Sequence, residues 1–188
     1  FIIIHGSPGE DGLIQSYFQL KNIPYTGSDS YTSSLTFNKR DCISVLSKYD
    51  IPVANSVHLN YGESFSTEKI ISKLGLPCFV KANRSGSSFG VFKVNKREEL
   101  ENFINKAFEY DNEILIESYL QGTEVSVGVM NYKDEIKVFG ITELITENDF
   151  FDYDAKYNGN SKEITPANIS SEQKELVSKL SLKIYKKL

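Results

Sequence analysis

The chain has 188 residues, 40% of them hydrophobic and 24% charged, with a formal net charge of −4. That length supports a sizeable core in one large or two small domains, and the composition is that of an ordinary globular protein. The acidic balance and the lack of a basic stripe argue against nucleic-acid binding, and no apolar run approaches the ~20 residues of a membrane span.

In chain order, Phe1–Ile4 reads as a parallel strand buried on both faces. The turn His5-Gly6-Ser7-Pro8-Gly9-Glu10-Asp11-Gly12 follows, then a helical stripe of Leu13, Ile14, Tyr17, Phe18 and Leu20 that Pro24 ends. Strand, glycine-rich turn and helix make one α/β unit, and ligands in such folds collect where His5 lies, at a strand carboxyl end. A lone histidine there is more often structural than catalytic. Tyr25–Ser28 is a turn, and Asn38 can cap a helix carrying Cys42, Val45, Leu46 and Tyr49. Ile51-Pro52 closes that helix, a strand follows around Val53–Leu59, and a second helix lies near Thr67–Leu74.

The apolar run Leu76–Val80 leads into Lys81-Ala82-Asn83-Arg84-Ser85-Gly86-Ser87-Ser88-Phe89-Gly90, and Val91–Val94 leads out. Two glycines and three serines let backbone N–H groups and hydroxyls approach a ligand, with Lys81 adding charge at the root. From these residues alone an ordinary hairpin and a phosphate cradle fit equally well. A helix opened by Asn95, with Glu98 at the capping-box position, carries the stripe Leu100, Phe103, Ile104 and Ala107. Glu113–Leu120 reads as a strand running into Gln121-Gly122. From Glu124 the pattern alternates, with Val125, Val127 and Val129 on one face; a turn at Asn131–Asp134 leads to a partner strand at Ile136–Phe139. This antiparallel pair makes the later part α+β rather than doubly wound. Thr146–Pro166 reads as a long polar loop, a length that in compact domains goes with function or disorder, and its four aromatics argue against disorder. The last helix starts at Ser170, with Gln173 at the capping-box position, and runs through Leu176, Leu180 and Ile184.

The chain begins at Phe1 without a methionine and stops at Leu188 inside a helical pattern, so it reads as a piece of a longer protein. No basic leader with a cleavage site is present. Cys42 and Cys78 lie in apolar patterns without C-x-x-C or histidine-rich company, which points to reduced, buried thiols in a cytoplasmic protein. The P-loop pattern, the G-x-S-x-G elbow, H-E-x-x-H and Cys/His metal spacing are all missing. What remains is the Gly/Ser loop, Lys39 and Lys81, and the carboxylates Glu117 and Glu124. Lysines suit phosphate and a carboxylate suits ribose hydroxyls, although each side chain alone is more often a solvated charge. Together they favour a phosphate or nucleotide site without naming a reaction.

Several stretches resemble D-alanine–D-alanine ligases of the ATP-grasp superfamily. These are His5-Gly6 with Gly9–Gly12, Ile23–Ser28, Asn38-Lys39, Val80-Lys81, Gly86–Val91 with Lys93-Val94, Ile116-Glu117, Gly122–Glu124, Phe151–Tyr157 and Pro166-Ala167. They occur in order over essentially the whole chain. The resemblance implies an ATP-grasp fold, α/β and α+β. Residues 1–27 would be a remnant of a Rossmann-like N-terminal substrate domain, 28–120 the central α+β subdomain, and 121–188 an incomplete C-terminal ATP-grasp and lid domain. It also implies ATP-dependent joining of two D-alanines through an acyl phosphate, for peptidoglycan precursor synthesis, in a cytoplasmic homodimer that binds neither nucleic acid nor membrane.

Carried over by position, Lys39 and Lys81 would hold ATP phosphates, and the loop from Gly86 through Ser87 and Ser88 to Gly90 would cover them. Glu117, Tyr119 and Leu120 would meet the adenine, and Glu124 the ribose. His5 and Glu10 would lie toward the first D-alanine. Ser87 and Tyr157 would join the network that positions substrate and holds the lid, and Lys156 would reach the γ-phosphate, keeping water from the acyl phosphate. Asn38 and Ala82 depart mildly from the Asp and Pro many relatives carry there. The family's N-terminal catalytic glutamate would fall before Phe1, and its Mg²⁺ (or Mn²⁺) ligands and transition-state arginine after Leu188, so none of the 188 residues is assigned to metal and this piece alone is expected not to turn over. A D-alanine–D-lactate ligase is the near alternative, against which Tyr157 weighs; a non-catalytic ATP-binding fragment is the other.

Overall fold

The computed structural model describes residues 1–146 and 161–188, which form two compact units: Phe1–Ser47 with Pro52–Leu120, and Lys48–Ile51 with Gln121–Leu188. In the first unit the helices are α1 (Leu13–Leu20), α2 (Ser30–Phe37), α3 (Lys39–Lys48), α4 (Thr67–Leu74) and α5 (Leu100–Ala107). The strands are β1 (Ser56–Asn60), β2 (Cys78–Ala82), β3 (Val91–Val94) and β4 (Glu113–Ser118). They form one antiparallel sheet in the order β1-β4-β2-β3, so the last strand enters the middle.

Alternation along the strands settles what each face does. Cys78 and Val80 of β2, Ile114 and Ile116 of β4, Leu59 of β1 and Val94 of β3 join Ile70 and Leu74 of α4 and Leu100, Ile104 and Ala107 of α5 in one buried cluster. Fully burying each large aliphatic side chain there contributes about 1.5–3 kcal/mol. The intervening residues, Phe79, Lys81, Leu115 and Glu117, point to the opposite face, where Lys81 stands across from Leu115 and Phe79 across from Glu117.

Three helix starts follow from their caps. Asp29 accepts from the Thr32 N–H at 2.7 Å, Asn38 from the Asp41 N–H at 3.1 Å, and Ser66 from the Lys69 N–H at 3.3 Å. Asn38 thus caps α3 as the sequence leads one to expect, and α4 matches its expected bounds. Before α5, however, it is Glu99 rather than Glu98 that turns back, accepting from the N–H groups of Asn95 and Lys96 at 3.0 Å each. A 3₁₀ turn over Arg97–Glu99 shifts the cap by one residue. β1 begins three residues after the expected Val53, and α2 is unforeseen.

The largest correction concerns Phe1–Ile4, which belongs to no strand of the described residues; Phe1 is 88% exposed. A buried parallel strand needs neighbours to take its N–H and C=O groups, and the first unit's one sheet is built without it.

The second unit holds β5 (Glu124–Tyr132), β6 (Glu135–Thr146), β7 (Ser161–Ile164) and α6 (Ser171–Lys187). Val125, Val127 and Val129 are half-buried while Glu124, Ser126 and Gly128 are exposed, as the alternation requires. Lys133 and Asp134 (φ 54° and 62°) join β5 to β6 in a two-residue turn, whose doubly positive φ matches strand twist. β6 runs well past the expected Phe139 because β7, unforeseen, pairs with its far end. Ser170 and Gln173 exchange the two capping-box bonds at 3.2 and 2.8 Å, and the Tyr185 hydroxyl accepts from the Asn131 N–H at 3.0 Å. Among the described residues no helix is long and apolar enough to cross a membrane.

Candidate functional site

The side chains with chemistry in the first unit leave the sheet on the face away from the core. Lys81 Nζ donates to Glu117 Oε2 at 2.5 Å, with the two side chains 28% and 13% exposed. A pair this poorly solvated interacts more strongly than a surface bridge. The ammonium also stands 5.5 Å from the centre of the Phe79 ring. Just past β4, the Tyr119 N–H donates to the Pro77 carbonyl at 3.3 Å, which brings the Tyr119 ring 6.2 Å from Phe79. Lys93 lies 5.5 Å over that ring, and the adjoining Leu120 is exposed. Two aromatic rings, a carboxylate acceptor and two ammonium groups on one face can take a flat heterocycle and an anion together.

The loop after β2 is shaped by its backbone. Ser87 and Ser88 take φ of 50° and 61°, and the Phe89 N–H donates to the Gly86 carbonyl at 3.0 Å. Consecutive left-handed serines are uncommon and cluster at ligand-holding turns. Gly90 is obligatory: at φ 66° a Cβ would stand 2.9 Å from the Ala82 Cβ and 3.0 Å from the Tyr110 ring. At Gly86 a Cβ would come within 3.2 Å of Glu10 Oε2, so Glu10 reaches the loop. Glu10 accepts from the Gly6 N–H at 2.6 Å and lies 3.9 Å from His5 Nδ1. The turn His5–Glu10 and the Gly86–Gly90 loop are therefore neighbours, although His5 itself is largely exposed.

Lys39 comes from the first turn of α3 to the root of the same loop, donating from Nζ to the carbonyls of Asn83 at 3.1 Å and Ser85 at 2.6 Å. Its neighbours Asn83, Arg84, Asp111 and Glu113 escaped the sequence reading. Arg84 grips Asp111 through Nε at 3.1 Å and a terminal nitrogen at 2.7 Å, and its N–H adds a third bond at 2.8 Å. Burial alone would raise the Asp111 carboxyl, but the bonds from Arg84 and from the Glu113 N–H hold it below the usual carboxylate range. The only signal in the sequence is a polar Asn at the exit of a buried strand.

Of the remaining expected residues, Glu124 starts β5 in the second unit, exposed and paired with Leu144. Lys156 and Tyr157, with the rest of the Phe151–Tyr157 run, lie outside the described residues. Among the described residues no group of three or more His, Cys, Asp and Glu side chains is placed to hold a metal ion.

Residues 45–188 match the family described as D-ala D-ala ligase C-terminus. The D-alanine–D-alanine ligase of Flavobacterium psychrophilum is 58% identical over 98% of this chain, which spans 56% of that relative's length. Among solved structures, the VanG D-Ala:D-Ser ligase from Enterococcus faecalis is similar with a TM-score of 0.85 at 35% identity, over 97% of this chain and 54% of that one. The Bacillus anthracis D-alanine–D-alanine ligase complexed with ATP is also similar, with a TM-score of 0.81 at 29% identity, over 98% of this chain and 57% of that one.

Proposed function

The chain belongs to the D-alanine–D-alanine ligase family, and from that premise we propose that it is the nucleotide-holding part of an enzyme joining two D-alanines with ATP. The observations that carry this reading are Lys39 at the root of the Gly86–Gly90 loop and, on the sheet face away from the core, Lys81 with Phe79, Tyr119 and Glu117. In it, the aromatic pair and Glu117 receive the adenine, and the two lysines offset phosphate charge. The loop, with its backbone preset in left-handed turns, lies over the phosphates, and Glu10 beside Gly86 brings the first D-alanine to the same edge. The reaction itself is phosphoryl transfer to one D-alanine carboxylate and displacement of phosphate by the amine of the other. Peptidoglycan precursor synthesis, a cytoplasmic location, a homodimer and a divalent cation belong to the same reading.

Calorimetric titration with ATP tests the site. The wild-type chain binds, and Lys81→Ala loses at least tenfold in affinity; equal affinity of the two proteins overturns the assignment of Lys81. A second reading concerns the acceptor, since the 0.85 TM-score is to a D-Ala:D-Ser ligase. Offering D-alanine, D-serine and D-lactate as second substrates to the complete enzyme separates the three specificities.

A further inference from the structure

Asn83 directly follows β2 and has 0% exposure. A buried amide without partners is costly, yet here both backbone groups and both ends of the side chain are used. Its Oδ1 accepts from the Arg40 N–H at 2.9 Å and its Nδ2 donates to Glu113 Oε2 at 2.9 Å. Its N–H donates to the Glu113 carbonyl at 3.0 Å. Its carbonyl accepts from the Lys39 N–H at 3.4 Å and from Lys39 Nζ at 3.1 Å. Three of these five bonds end on Lys39 or the residue after it, and the other two end on Glu113 at the start of β4. One side chain therefore ties the first turn of α3 to the middle strand of the sheet. The Lys39 amine, which also donates to Ser85, is held at the loop root before any ligand arrives.

We propose, resting on the phosphate role given to Lys39, that Asn83 is a positioning residue for that lysine. A free lysine side chain gives up rotamer freedom when it engages an anion. One already oriented by a fixed helix start and two carbonyls gives up less, so binding to phosphate is stronger. The buried Asn83 side chain touches the Arg40 N–H and Glu113 rather than Lys39 Nζ, so it acts on the lysine by fixing the helix turn and the backbone carbonyl that hold it. Its loss therefore weakens ligands with phosphates and spares those without.

The test is calorimetric titration of the chain with ATP and, separately, with adenosine, folding being checked by circular dichroism. Asn83→Ala is expected to weaken ATP about tenfold and adenosine less than twofold. In a Lys39→Ala background the same substitution adds less than twofold, as two residues acting through one contact should. Asn83→Asp sets a carboxylate against Glu113 and weakens ATP likewise; adding Glu113→Gln restores one donor facing one acceptor and recovers affinity to within threefold of wild type. If Asn83→Ala does not fold, Asn83→Asp and its Glu113→Gln rescue carry the same ATP–adenosine comparison. Equal losses for ATP and adenosine, additive losses with Lys39→Ala, or a folded variant with unchanged ATP affinity each overturn the inference. A wild-type chain that binds no ATP overturns the nucleotide reading and the inference together, whereas binding that is insensitive to Asn83 removes the inference alone.

Discussion

The two faces of the β1-β4-β2-β3 sheet are made by the same strands, one residue apart, and they do opposite work. Val80 and Ile116 are fully buried under α4 and α5, while Lys81 and Glu117, their immediate neighbours in sequence, form a half-desolvated ion pair on the other side. The core face is apolar and packed, so its contribution is to stability. The opposite face keeps charges in reduced solvent with aromatic rings beside them, an arrangement poor for stability and good for binding. The period-two geometry of a strand lets a fold hold a core and a site back to back without compromise between them.

Ile116→Ala is the severest test of that division. Truncating a fully buried isoleucine removes its transfer energy and leaves a cavity, an expected loss of about 3–4 kcal/mol in urea unfolding. Ligand affinity of the protein that remains folded should stay within twofold of wild type. A large affinity change would mean that the faces are coupled. Lys81→Ala is the mirror experiment. ATP affinity should fall about 30-fold, roughly 2 kcal/mol, while unfolding free energy falls by about 1–2 kcal/mol, less than for Ile116→Ala, because Glu117 loses its partner but keeps some solvent.

Legibility from sequence follows the same division. The core face was readable because Leu100, Phe103, Ile104 and Ala107 repeat at helical spacing and Val80 and Ile116 sit in apolar runs. The caps at Asn38 and Ser170 were readable because one side chain and one backbone N–H suffice. α2 was not, since Ser30–Phe37 is mostly small and polar, with no apolar period to detect. Phe1–Ile4 was misread because apolar composition shows a wish for burial but not the presence of a partner strand. In the candidate site, Lys39, Lys81 and the glycine loop could be picked out by residue type. Asn83, Arg84 and Asp111 could not, because their roles come from contacts between positions 27 to 44 residues apart.

Asp111, two residues before β4, sharpens the comparison. Its carboxyl is only 7% exposed and held below the ordinary carboxylate range by Arg84 and by backbone N–H groups, against the opposing pull of burial. A depressed acid favours the folded state at all pH above its ordinary value near 4, and that contribution is lost as pH falls through the folded-state value. Asp111→Asn should lower stability at pH 7 by about 1–2 kcal/mol, discounted because Arg84 is half-exposed. It should also flatten the loss of stability below pH 4 in thermal melts. An unchanged acid limb would show that other carboxylates control it.

His58 offers the gentlest probe. It lies on β1 opposite Leu115, on the face away from the core, with its Nε2 3.3 Å from the Ser56 hydroxyl. Burial, then the positive charges of Arg40 and Lys73, push its pKa below the ordinary histidine value, with Glu117 and Asp41 opposing. Because the folded state binds the proton less readily than the unfolded chain, the contribution is complete above about pH 6.5 and declines as pH falls from there through the depressed value. An NMR titration should therefore place the His58 midpoint below that of a model peptide. Lys81→Ala, by leaving the Glu117 charge unopposed on the same face, should move the midpoint upward, whereas Ile116→Ala on the core face should leave it in place. A midpoint that responds to the core substitution and ignores the lysine would mean that burial from the α4–α5 side, rather than the charge pattern of the site, sets the electrostatics of this sheet.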